Sequence, residues 1–136
     1  MNLLLLDSKP AREQIGRACA HQFAAGDVCH WWHAGTGPEH GVRTRISDDL
    51  LWLPWAVEKT GDAEILSAEY PFLAGEALEE AEHDRYQPLE AGAETGTVLE
   101  HCRRALMRVL ARGVGAHGLL HIGTGDWNDA FDRVGA

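Results

Sequence analysis

Basic residues are scarce in this chain: 12 lysines and arginines stand against 21 aspartates and glutamates in 136 residues, a formal net charge of -9. The arginines form no basic stripe, which excludes nucleic acid or an anionic membrane as the main partner, since both demand clustered positive charge. Long apolar runs are also missing. The opening MNLLLLDSKP is too brief to span a bilayer and lacks the basic start of a signal peptide, so no membrane insertion and a cytoplasmic location are expected. Cysteine is sparse, and the odd number and wide spacing of Cys19, Cys29 and Cys102 fit reduced thiols better than a disulfide framework or a zinc site. No convincing alternating strand, internal repeat or low-complexity tract is visible, and the expected class is all-α.

Tryptophan is plentiful by contrast, and it is concentrated. Trp31, Trp32, Trp52 and Trp55 lie in HWWHAGTGPEHGVRTRISDDLLWLPW, residues 30–55. Flat indoles of this kind stack on sugar rings, while Arg43, Arg45, Asp48 and Asp49 offer the bidentate and charge-assisted hydrogen bonds that orient vicinal hydroxyls or a phosphate. The glycines and the proline of residues 30–45 read as a binding loop whose backbone approaches a ligand closely. His30 and His33 bracket two tryptophans but bring no third ligand, so no metal site is expected. A second dense stretch, GTGDWNDAFDRVG, lies near the C-terminus, and the two read as walls of one polar, aromatic cleft.

Between these stretches the pattern is helical. Ser8 or Asp7 caps a helix over residues 10–25, with Ile15, Ala18, Cys19, Gln22 and Phe23 on one face. Ser47 or Asp48 caps a second helix ending before Gly61, apolar enough to be buried on most sides and kinked at Pro54. A turn and short helix follow, ending near Pro71, and residues 76–84 form an exposed acidic face. Thr95 or Thr97 caps a third helix whose stripe is Val98, Leu99, Cys102, Leu106, Val109 and Leu110, with His101 partly buried and hydrogen-bonded. The length fits a single domain, 1–136. The terminal motif GDWNDAFDRVGA, however, lacks the further helix that would support it, so a fragment of a larger domain, or a chain needing a partner, is expected.

The segments QFAAGDVCHWWH, GVRTRISDDLLWLPWAVEKTGD, PFLAGEAL, EHCRRAL and HGLLHIGTGDWNDAFDRVG resemble, in order and spacing, glycoside hydrolase family 94. They are most similar to the phosphorylase domains of cyclic β-1,2-glucan synthases and 1,2-β-oligoglucan phosphorylases. The resemblance implies part of an (α/α)6 barrel and an inverting cleavage of β-glucosidic bonds by inorganic phosphate, without another cofactor. Phosphate is then the nucleophile, so one carboxylic acid suffices to protonate the glycosidic oxygen.

By the same resemblance Asp129 is that general acid, with Asp126 the alternative. Trp127 borders the sugar with Trp32, and Asn128 positions the loop. Arg43 and Asp49 match positions that bind the glucosyl unit, and Arg45 and Asp48 support them. Each assignment has a structural counterpart: Asp126 and Asp129 fit a capping pattern, and Arg43 with Asp49 fits an ion pair. Ala130 and Phe131 replace the family's usual glycine and methionine. The implied partner is a β-glucan or glucose-containing oligosaccharide, with a second copy or another chain completing the barrel, and the resemblance allows a membrane-associated parent enzyme. The family's phosphate-binding residues lie downstream, so the alternatives are a non-catalytic carbohydrate-binding or regulatory protein and half of a two-chain enzyme.

Overall fold

The computed structural model describes residues 8–33 and 35–121. Among the described residues there are three α-helices, α1 (Ser8–Ala20), α2 (Asp49–Thr60) and α3 (Val98–Ala111). Five strands accompany them: β1 (Cys29–His33), β2 (His40–Thr44), β3 (Glu69–Leu73), β4 (Asp84–Pro88) and β5 (Ala91–Thr97). The strands pair antiparallel as two sheets, of order β1-β2-β4 and β3-β5. The all-α class and the partial (α/α)6 barrel are therefore corrected for the described residues: this is a mixed α and β fold. The physical reason lies in the strands themselves. They are five to seven residues long and rich in glycine, proline and charge, so pairing and packing create them where local preference does not. Pro71 is tolerated because a two-stranded sheet consists of edges, and an added Cβ at Gly96 would stand 2.7 Å from the Phe72 ring packed across it.

The helices differ from their expected outlines in the same way. α1 stops at Ala20, not residue 25, and residues 21–28 turn back in a tight loop where Gln22 bridges Val28. α2 begins at Asp49 with Asp48 at its N-cap, lacking a side-chain cap bond, and ends on left-handed Gly61. Pro54 lies within it. Only Leu50, Leu53 and Val57 are buried, so α2 covers one stripe and leaves Trp52 and Trp55 outside. In place of a short helix reaching Pro71, a 3-10 turn (Ala63–Ser67) precedes β3. Thr97 caps α3 through the Glu100 amide (3.2 Å), but the buried face is Val98, His101, Cys102, Ala105 and Val109, while Leu99, Leu106 and Leu110 are exposed. Residues 76–84 are exposed apart from buried Leu78 and partly covered Glu82, and form no helix.

The main core gathers Ile15, Cys19, Leu53, Val57, Ile65, Val98 and Cys102 from the three helices and the 3-10 turn. Each large aliphatic side chain there contributes about 1.5–3 kcal/mol by leaving water. The three cysteines are free and buried. Burial pushes the thiols of Cys19 and Cys29 up to about 12 and that of Cys102 to about 11, which keeps them protonated.

Polar side chains then fix the loop of residues 21–28 to α3. Gln22 Nε2 donates to the carbonyls of Gly26 and His101 (both 3.1 Å), and its Oε1 accepts from His101 Nδ1 at 2.6 Å. His101 is fully buried and stacked on Phe72 at 3.9 Å, and burial pulls its pKa down. Asp27 is the other fastening. Its Oδ2 accepts from Arg43 Nε (3.0 Å) and Nη2 (2.5 Å), and its Oδ1 accepts from Arg108 Nε at 2.6 Å. Arg43 has no exposed surface; Nη1 donates to the carbonyl of Glu76 at 2.7 Å, and the guanidinium lies 4.0 Å over the Phe23 ring.

Removing one partner of a buried ion pair strands the other charge, at a cost of about 3–5 kcal/mol, whereas an exposed pair contributes about 0–1 kcal/mol. Asp27→Ala is expected to lose stability on the larger scale and Glu58→Ala, whose partner Lys59 is half-exposed, on the smaller. Urea denaturation of the two variants checks this, and equal losses would contradict the role given to Asp27.

Candidate functional site

β1 presents alternate side chains to opposite faces of its sheet. His30 and Trp32 turn toward α1 and α2, while Trp31 and His33 turn away to join Tyr86 and His40 in an outer aromatic row with ring separations of 5.3–6.3 Å. The two histidines therefore point apart, His30 to Asp49 and His33 to the Tyr86 hydroxyl at 3.0 Å. The HWWHAGTGPEHGVRTR segment is a β-hairpin with Gly35 and Gly37 in the connection and Gly41 within β2, in register Trp32 with Gly41 and His33 with His40.

A cleft of about 430 Å³ lies between α1, β1 and α2. Trp32 forms one wall, backed by His21 in a parallel stack (4.1 Å, 18°), and Trp52 with Trp55 forms another, their rings edge to face at 5.8 Å. His21 Nδ1 donates to the Arg17 carbonyl at 2.6 Å, and Nε2 lies 3.2 Å from Glu39 Oε1 without the alignment of a hydrogen bond. Ile15, Leu53 and the alanines of α1 make the remaining floor apolar.

Asp49 is the acid of this cleft. It occupies the first turn of α2, where the helix dipole favours a carboxylate. Its side chain is 12% exposed, and Oδ2 accepts from His30 Nδ1 at 2.9 Å and from Thr44 Oγ1 at 3.4 Å. Burial raises its pKa; the charge and hydrogen bond of His30 oppose that rise without cancelling it. A carboxyl held partly out of water beside indole faces is suited to accept from, or donate to, hydroxyl groups while the rings cover the apolar faces of a sugar.

Of the residues singled out in the sequence, Asp49 and Trp32 meet in this cleft, joined by Trp52 and Trp55. Arg43 does not: it pairs with Asp27 and not with Asp49, and its guanidinium faces inward. Arg45 donates through Nη2 to the carbonyls of Leu78 (3.1 Å) and Glu79 (2.5 Å). Asp48 is partly exposed at the N-cap of α2. Asp126, Trp127, Asn128 and Asp129, with Ala130 and Phe131, lie outside the described residues. Sequence reasoning missed His21 and Asp27. The first carries no signal beside its helix, and the second reads as an ordinary helix-ending residue.

Among the described residues no group of three His, Cys, Asp or Glu side chains is placed to hold a metal ion, and no helix is long and apolar enough to cross a membrane. The sequence profile described as the glycosyl hydrolase 94 superfamily, catalytic domain, matches residues 1–136. The chain is also 50% identical over 129 residues to the cyclic beta-(1,2)-glucan synthase NdvB of Rhizobium meliloti (strain 1021), an alignment covering 92% of this chain and 4% of that protein.

An acid whose pKa is raised on folding binds its proton more tightly in the folded chain than in the unfolded one. The stability it contributes is complete at low pH and is lost as pH rises through the folded pKa. For Asp49 that loss begins just above the ordinary aspartate value of 3.8. Asp49→Asn cannot ionise, so wild type is expected to lose stability relative to this variant as pH rises from about 4 toward neutrality. Urea midpoints across that range test the sign, and parallel curves would contradict it.

Proposed function

The chain belongs to the glycosyl hydrolase 94 superfamily, and on that premise we propose that it forms the glucosyl-binding wall of an inverting β-glucan phosphorylase. The observation that carries this reading is Asp49, a carboxyl of raised pKa, set among Trp32, Trp52 and Trp55 in a cleft of about 430 Å³. The indoles cover the faces of a glucose unit and Asp49 binds its hydroxyls, with His30 and Thr44 fixing the carboxyl's orientation. Arg43 takes a supporting part: held by Asp27, it fixes β2, whose Thr44 reaches Asp49. Asp48, at the N-cap of α2, supports the same corner, and Arg45 holds the segment of Leu78 and Glu79 beside the end of β2.

In the proposed reaction Asp129 donates its proton to the glycosidic oxygen as the bond to the anomeric carbon breaks. An oxygen of inorganic phosphate attacks that carbon from the opposite face, giving α-glucose 1-phosphate and a glucan shortened by one unit. Asp126 and Trp127 contact the sugar in this scheme. The name of the relative points to β-1,2-linked glucan as the substrate, and a second copy or partner chain completes the site.

Binding and cleavage are separable tests. Sophorose and longer β-1,2-gluco-oligosaccharides are expected to quench tryptophan fluorescence on binding. Asp49→Asn and Trp52→Ala should each weaken that binding about three- to tenfold, as loss of one hydrogen bond or one stacking contact does. Unchanged affinity in both variants would remove the cleft from consideration. For the acid, Asp129→Asn is expected to abolish phosphorolysis of glucan in the enzyme that contains this domain, yet to spare an activated aryl glucoside whose leaving group needs no proton. The reverse pattern, with Asp126→Asn showing the leaving-group dependence, assigns the proton to Asp126.

A further inference from the structure

The polar edge of the aromatic cleft is built almost wholly of acceptors. Asp49 Oδ2 is taken by His30 Nδ1 at 2.9 Å and by Thr44 Oγ1 at 3.4 Å, while Oδ1 has no partner among the described residues. His30 repeats the pattern. Its Nδ1 faces a carboxylate oxygen, which only accepts, so that nitrogen carries the proton and donates. A neutral imidazole has a single ring proton, and Nε2 at the far side of the ring is then a bare acceptor. No group among the described residues bonds to it.

The ring is placed where a ligand would meet it. His30 lines the cleft, and its side chain is 32% exposed against 12% for Asp49. Trp32 stands two positions further along β1, on the same face of the sheet. A sugar ring lying on that indole turns its hydroxyl edge to the neighbouring side chains, of which His30 is one. Steering Asp49 requires only the Nδ1 end of the imidazole, and the opposite end is left over.

We propose that His30 is itself a sugar-binding residue: Nε2 accepts a hydrogen bond from one hydroxyl of the glucosyl unit while Asp49 Oδ1 accepts from another. This rests on the reading of the cleft as a glucosyl site and adds to it a source of specificity. Two acceptors side by side require two donors, so the pair recognises hydroxyl groups as donors and penalises any sugar in which one of them is missing, because an acceptor covered by the ligand would then stay empty.

The test is a double-mutant cycle between protein and sugar, on the full chain. Isothermal titration compares sophorose with its monodeoxyfluoro analogues, each lacking one hydroxyl donor on the non-reducing glucose. In wild type the analogue altered at the hydroxyl facing His30 should bind about three- to tenfold more weakly than sophorose. An asparagine amide occupies the position of Nδ1, so His30→Asn keeps the donor to Asp49 and removes only Nε2. In that variant the same analogue and sophorose should bind within about twofold of each other. His33→Phe, whose side chain lies on the opposite face of β1, should retain the wild-type pattern. Nitrogen-15 NMR of wild type at about pH 8 needs no variant to fold: the His30 ring should carry its proton on Nδ1, and the Nε2 resonance should move when sophorose is added. Analogue penalties that are absent in wild type or unchanged in His30→Asn, or a proton found on Nε2, overturn the inference and leave the glucosyl reading standing. Failure of wild type to bind sophorose at all removes both.

Discussion

Everything in this fold that approaches the cleft depends on a buried charge being matched. An arginine wholly withdrawn from water is tolerated only when its donors are met, and Arg43 meets that condition with Asp27 and the carbonyl oxygen of Glu76. The consequence is geometric. β2 cannot shift without breaking the pair, β1 is held by its register with β2, and the loop carrying Asp27 cannot leave α3 while Arg108 holds the second carboxylate oxygen. One carboxylate thus fixes three pieces of chain whose own apolar surface is modest.

The two faces of β1 divide the work of its aromatic residues. A one-residue slip of the strand would exchange Trp32 for Trp31 and send His30 away from Asp49, because side chains alternate with a period of two. The irregularity in register between Cys29 and Trp31 lies next to these residues, and the Cys29 end is anchored in the small core of Phe23, Leu73 and Leu89. Asp49 is placed independently, by the start of α2. The cleft is therefore assembled from a strand and a helix, each held by its own packing, which suits a site that must present fixed groups to a ligand.

The helices were legible in the sequence because apolar spacing at three and four residues survives any context, and the caps at Thr97 and Gly61 follow from side-chain and backbone chemistry. Their buried faces were less legible. Leu99, Leu106 and Leu110 fit a helical stripe as well as Ala105 and His101 do, and only packing, of Ala105 against Leu50 of α2 and of His101 against Phe72 and Gln22, decides between them. The strands were not legible, since Gly92, Gly96 and Pro71 argue against a sheet until a partner strand and the Phe72 ring require them. The tryptophans and Asp49 stood out because indoles and acids at such density exceed what a core needs. The inward turn of Arg43 did not, because its partner Asp27 lies in a loop with no motif of its own.

The loop of residues 21–27 meets α3 through contacts that span most of the chain: Gln22 to His101 is separated by 79 positions, Arg104 to Ala24 by 80, and Asp27 to Arg108 by 81. Synthesis delivers the two ends of each contact at different times. At about 5–20 residues per second, the nascent chain carries Asp27 for some seconds before Arg108 emerges, and for that interval the Asp27 carboxylate has Arg43 but not Arg108. The tryptophan-rich hairpin and α2 are exposed to the translation environment during the same wait. Fastening of the Asp27 loop is thus timed by the arrival of α3, long after the residues that line the cleft have been made.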